Sequence, residues 1–138
     1  MTLIDIINRL KNTAKNVKNI NYVGDGDIYT LSTFPNLDYS VFFVTQTNHS
    51  MDKNTINYTL TLFYVDRLLN DSSNRLQIQS TGIVTLTNII NKFVNENDVE
   101  IDGNIQFTTF NQRFADECSG VFANVTFVVD NNLGICDF

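Results

Sequence analysis

The chain offers one histidine, His49, and two cysteines, Cys118 and Cys136, as its softer ligands or nucleophiles, and they stand far apart. His49 sits in the polar run Asn48 to Asn54. A general base of the Ser-His-Asp kind needs a positioned partner and an oxyanion site; the neighbouring residues supply neither, so a solvated side chain is expected. Cys118 follows Asp116 and Glu117, whose carboxylates lower its thiolate fraction, so an unreactive thiol is expected. A disulfide to Cys136 stays open on spacing alone. The aspartates of Gly24-Asp25-Gly26-Asp27 suggest oxygen ligands, but the remaining spacing of a calcium loop is missing and a solvated turn is expected. Glu96, Asp98, Glu100 and Asp102 alternate with other residue types in a stretch that reads as a solvated connector rather than a metal site. No HExxH, CxxC, GxGxxG or Walker loop is present. The expectation is therefore no enzyme, no cofactor and no metal site.

Charge narrows the partners. Against 9 basic residues stand 15 acidic ones, for a net charge of -6. Gripping nucleic acid needs clustered Lys and Arg, which this balance does not supply. No apolar run approaches the ~20 residues of a membrane span, and the charged start (Asp5, Arg9, Lys11) lacks a secretory apolar region. A reducing cytoplasm is the expected folding compartment. The sequons at Asn48, Asn57, Asn70 and Asn124 then follow from a composition with about twenty Asn.

The elements that must hold these residues are legible as periodicities. Thr2 to about Lys18 reads as a helix, with Leu3, Ile6, Ile7, Leu10, Ala14 and Val17 on one stripe and Thr2 as its N-cap. Asn19 to Asp27 loosens into a turn, and Ile28 to Leu31 reads as a short edge strand broken near Pro35. Tyr39 to Thr47 is a strand with apolar residues on both faces, joined by a hairpin over Asn48–Asn54 to the strand Ile56–Val65. There Ile56, Tyr58, Leu60, Leu62 and Tyr64 share a face. A polar connector leads to an amphipathic helix carrying Ile83, Leu86, Ile90 and Phe93. After the acidic connector Asn95–Asn104 come the strands Ile105–Phe114 and Val121–Val129, with Gly120 expected in the turn between them. Asn131–Phe138 is a tail. Residues 1–138 thus read as a single α+β domain: a mostly antiparallel sheet of four to five strands packed by an N-terminal helix and a central amphipathic helix. The expected core is Leu60, Leu62, Tyr64, Ile83, Leu86, Ile90, Phe93, Phe107, Val125 and Phe127.

Three short pieces carry a resemblance: Asp66-Arg67-Leu68 at a strand end, Asn74-Arg75-Leu76 at a helix start, and Phe114-Ala115-Asp116-Glu117-Cys118 before the last strand. Over about residues 39–130 the chain resembles neck proteins of tailed bacteriophages, specifically the tail-terminator and head–tail joining ring proteins of phages infecting Bacteroides-like hosts. The resemblance implies a structural virion protein, assembled in the bacterial host cytoplasm into a homo-oligomeric ring of about six or twelve copies. Its implied partners are the portal or connector and tail proteins, with DNA passing through unbound and no membrane. The acidic balance suits such a channel, because a cationic lining would hold DNA.

Seven charged residues are then expected at protomer interfaces: Asp66, Arg67, Asp71, Arg75, Arg113, Asp116 and Glu117. Arg supplies bidentate geometry to carboxylates; pairing within one chain is the competing expectation. A small adaptor or inhibitor acting through an exposed strand edge is the alternative function.

Overall fold

The computed structural model of the chain describes residues 1–28, 38–69, 71, 73–113 and 117–131. Helix α1 (Leu3–Lys15) starts with a capping box. The Thr2 hydroxyl accepts from the Asp5 amide (3.3 Å), and the Asp5 carboxylate accepts from the Thr2 amide (3.0 Å). Its buried stripe is Ile6, Ile7, Leu10, Thr13 and Ala14.

Where the Gly-Asp run predicts only a turn, a strand forms first. Strand β1 (Tyr22–Asp25) pairs in parallel with the start of β2 (Val41–Met51), from Tyr22↔Val41 to Asp25↔Val44. Only at Gly26, with φ of 126°, does the chain turn away. The expected edge strand at Ile28–Leu31 lies, apart from Ile28, outside the described residues, as does Pro35.

Strand β3 (Thr55–Arg67) forms the expected hairpin with β2. The connector is shorter than Asn48–Asn54 because Asn48 to Met51 pair with β3, and Thr47 is the extra residue of a bulge. Asp52 shapes the turn. Its Oδ1 accepts from the amides of Asn54 (2.8 Å) and Thr55 (2.7 Å), and its Oδ2 accepts from the Thr55 hydroxyl (3.0 Å).

Helix α2 (Arg75–Asn97) is longer than the apolar run and stops at Asp98, whose φ is 52°. It lies on the sheet through Ile78, Gly82, Thr85, Leu86, Ile89, Ile90 and Phe93. Ile83 is 37 % exposed and is not a core residue. The cause is Gly82: a Cβ there would come within 2.9 Å of the Tyr64 and Val121 side chains, so the helix approaches closest along the glycine. That contact line turns the next residue outward.

Strands β4 (Glu100–Ile101), β5 (Phe107–Arg113) and β6 (Glu117–Asp130) complete the sheet. Gly120 lies inside β6 and not in a turn. The Tyr64 carbonyl oxygen and the Phe110 ring occupy the place a Cβ would need, so Gly120 permits a close crossing. Cys118 is likewise in β6, fully buried, with its Sγ donating to the Tyr39 hydroxyl (3.2 Å). Cys136 lies outside the described residues.

The sheet has six strands, one or two more than expected, in the order β1-β2-β3-β6-β4, with β5 following β4 along the same side of β6. All pairings but β1–β2 are antiparallel, and the fold is α+β. Both helices pack on one face, enclosing Leu60, Leu62, Tyr64, Leu86, Ile90, Phe93, Val125 and Phe127 as expected, with Phe107 partly buried at the border. The Phe93 and Phe127 rings meet edge to face at 5.0 Å. The opposite face divides in two. Val41, Phe43, Val65 and Cys118 are buried at one end, beside Phe63 and Phe110. Threonines and asparagines fill the other end. As expected for β2, its two faces are both apolar in the middle: Phe42 and Val44 join the helix-side core, Val41 and Phe43 the other cluster.

Candidate functional site

Two features stand out: the bare sides of the sheet, and a polar cleft at one end of it. The Gly26 amide donates to the Val44 carbonyl (3.0 Å), so the main-chain groups of Val44 face away from β3. Beyond Val44, β1 has ended. From Thr45 to Met51 no strand among the described residues pairs with the outer side of β2, and Gln46 to Met51 are exposed. Stepping by two from Val44, the amide and carbonyl of Gln46 also face outward. On the far side of the sheet, β5 pairs with β6 alone, leaving its outer side bare among the described residues. Such rows of unpaired main-chain groups are templates for another strand.

His49 lies on the bare part of β2. Its ring meets Tyr58 edge to face at 5.4 Å and shares a hydrogen bond with Gln46 Oε1 (3.1 Å). It is a cross-strand packing residue with no acidic partner among the described residues. Among the described residues no three His, Cys, Asp or Glu side chains are placed to hold a metal. No helix among them is long and apolar enough to cross a membrane.

The cleft, of about 450 Å³, opens where β3 ends, α2 begins and the segment Asn19–Asn21 runs into β1. Asp66 and Tyr64 enter it from β3, Ser40 from just before β2, and Gln77 and Thr81 from α2. Asp66 is half-buried, and its Oδ1 accepts from the Arg67 amide (2.8 Å). Burial pushes its carboxyl above the ordinary range, against the opposing pull of that amide. Burial also raises the Tyr64 phenol, with the Asp66 charge adding to the rise and hydrogen bonds with Ser40 and Asn19 opposing it. The connector is tied down by Asn74, whose Nδ2 donates to the Arg67 carbonyl (3.1 Å) while its Oδ1 accepts from the Leu69 amide (2.9 Å).

Of the seven charged candidates, all but Asp116, which lies outside the described residues, gather at this end. The ends of β3 and β5, the start of β6 and the start of α2 meet there. Strand alternation sends Asp66 to the helix side and Arg67 to the other side, where its guanidinium lies 5.3 Å over the Tyr39 ring. Asp71 is exposed and accepts from the Ser73 amide (3.0 Å), which holds its carboxyl below the usual range. Arg75 is the exposed first residue of α2. Arg113 stands opposite Glu117 in the β5–β6 ladder. The lining residues Asn19, Asn21 and Ser40 were not among the expected set. The only sequence signal for them is the pattern of polar Asn19 and Asn21 flanking the buried Ile20.

Compared with known proteins, the chain matches no family model and no curated protein.

Proposed function

We propose that the protein is a structural ring subunit of a tailed-phage neck, of the tail-terminator or head–tail joining kind, joining the head connector to the tail around a channel for DNA. One observation carries the assembly half of this reading: among the described residues, the sheet has a bare strand on each of its two opposite sides. A contact between two different surfaces repeats from copy to copy and closes into a ring when the rotation allows. The bare run Thr45–Met51 of one copy supplies one surface, and the outer side of β5 in the next supplies the other. The phage assignment rests on the resemblance over residues 39–130. The net charge of -6 agrees with a channel that lets DNA slide.

A strand edge can also capture a different protein, which is the adaptor or inhibitor reading. The two part on the mass of the purified protein. The ring reading expects particles of about six or twelve copies by mass photometry, alone or on a portal ring. Gln46→Pro removes one outward amide while leaving the inward ladder to β3, and Thr108→Lys places a charge on β5. Either variant should return the assembly to subunits with unchanged circular dichroism. A wild-type chain that stays at 15.7 kDa at every concentration, alone and with a portal ring, overturns the ring. One-to-one binding to an unrelated protein, abolished by Gln46→Pro, would establish the adaptor instead.

A further inference from the structure

The polar cleft has an imbalance of charge. Asp66 brings a half-buried carboxylate into it, and Asp66 makes no salt bridge with a Lys, Arg or His among the described residues. Its chain neighbour Arg67 points to the other side of the sheet. The amides around it bring oxygens to the same space. Asn19 Nδ2 donates to Thr85 Oγ1 (3.2 Å), and Asn21 Nδ2 donates to the Tyr39 carbonyl (2.5 Å). Each amide thus commits one of its two N–H donors to these bonds and keeps Oδ1 as an acceptor. The Ser40 hydroxyl gives its proton to the Asn19 carbonyl and is hydrogen-bonded to the Tyr64 phenol as well. Tyr64 and Ile78 add apolar wall to a space of about 450 Å³, room for an alkyl stem and a small head group.

We infer that this cleft is a receptor for one guanidinium or ammonium group supplied from outside the chain. A multi-donor cation supplies the positive charge that Asp66 lacks, and its N–H groups can also reach the amide oxygens of Asn19 and Asn21. A metal ion fits less well, since a single carboxylate with amide and hydroxyl oxygens gives little charge to replace a hydration shell. The inference goes beyond the ring reading and does not depend on the strand edges. Two sources share the chemistry: a Lys or Arg side chain of a second copy, and a free amine.

The test is a titration of the full-length protein, followed by 1H–15N spectra, with n-butylammonium, ethylguanidinium, tetramethylammonium and calcium chlorides. Saturable shifts of the Asn19 and Asn21 side-chain amides and of the Asp66 amide are expected with the first two. Asp66→Asn should weaken binding at least ten-fold with the thermal melt retained. Thr81→Arg, which plants a cation at the mouth, should abolish it. The inference is overturned if neither cation shifts these signals, if Asp66→Asn binds as well, if tetramethylammonium without N–H donors matches them, or if calcium binds more tightly. Dilution distinguishes the source. Signals that move with protein concentration in the wild type but not in Asp66→Asn identify a second copy. Concentration-independent signals that still respond to n-butylammonium identify a free amine or another chain.

Discussion

The two faces of β3 use the same backbone for opposite ends. On the helix side, Leu60, Leu62 and Tyr64 are closed over by α2 and touch only apolar neighbours or the rim of the cleft. On the other side no helix lies among the described residues, yet the threonines are not simply wet. Thr61 is only 9 % exposed, shares a hydrogen bond with Thr47 Oγ1 (3.1 Å) and donates to Asn124 Oδ1 (2.5 Å). Thr59 pairs with Thr126 in the same way (2.9 Å). The hydroxyls form a cross-strand ladder within the protomer, so their polarity is internally consumed and is not held in reserve for a neighbour. For the proposed ring, that favours the strand edges over the Thr- and Asn-rich face as the place of contact.

The contrast can be broken by substitution. Phe93→Ala should have the largest effect, since Phe93 is fully buried against Phe127 and a large-to-small change there costs about 3–5 kcal/mol. Urea unfolding would measure it. Thr61→Val keeps the shape while leaving Thr47 and Asn124 without their partner, and should cost about 1–2 kcal/mol in the same assay. Equal losses from the two variants would erase the distinction between the faces. A loss near zero at Thr61 would mean that solvent satisfies the ladder.

The smallest effect is expected at Asp66, where the helix side meets the cleft. Its carboxyl is raised by burial, so the folded chain holds that proton more tightly than the unfolded chain. The ionised form therefore costs stability at neutral pH, and the cost is relieved as pH falls through the raised value toward 3.8. Asp66→Asn, which keeps an acceptor for the Arg67 amide, should stabilise the protein at pH 7 by under ~1 kcal/mol after solvent screening, with the gain vanishing in acid. Asp5, Asp52 and Asp71 run the other way. Hydrogen bonds from neighbouring backbone amides lower each of them, so what they contribute is present above 3.8 and lost as pH falls through their depressed values. An Asp66→Asn melt that gains stability toward low pH relative to wild type would contradict the sign.

The sequence makes strand β3 and helix α1 plain because each carries its own periodicity, and Thr2 with Asp5 marks a helix start locally. Strand β1 was hidden because Gly24 and Asp25 have turn chemistry, and only parallel pairing with Val41–Val44 makes them a strand. On α2, Leu86, Ile90 and Phe93 face the core as expected and only Ile83 does not, because apolar spacing favours it whereas the contact line there runs through Gly82, a residue with no side chain. Gly120 misled in the same manner: a glycine marks a crossing as readily as a turn. The charged candidates at the Asp66 end were legible as a set, since the strand ends that carry them are close in sequence to visible breaks. The cleft was not, because Asn19, Asn21, Ser40 and Thr81 come together only through the sheet.

The central pairing of the sheet joins β3 to β6 across the whole of α2, from Arg67↔Cys118 to Thr55↔Asp130. On a ribosome adding about 5–20 residues per second, β3 emerges seconds before its second partner exists. During that interval the uncharged, proline-free run Leu60–Val65 has one side on β2 and the other bare, the composition most prone to cross-β pairing. The nascent chain's exposure to misassembly with its own copies is thus timed by how quickly α2 and β6 are delivered behind it.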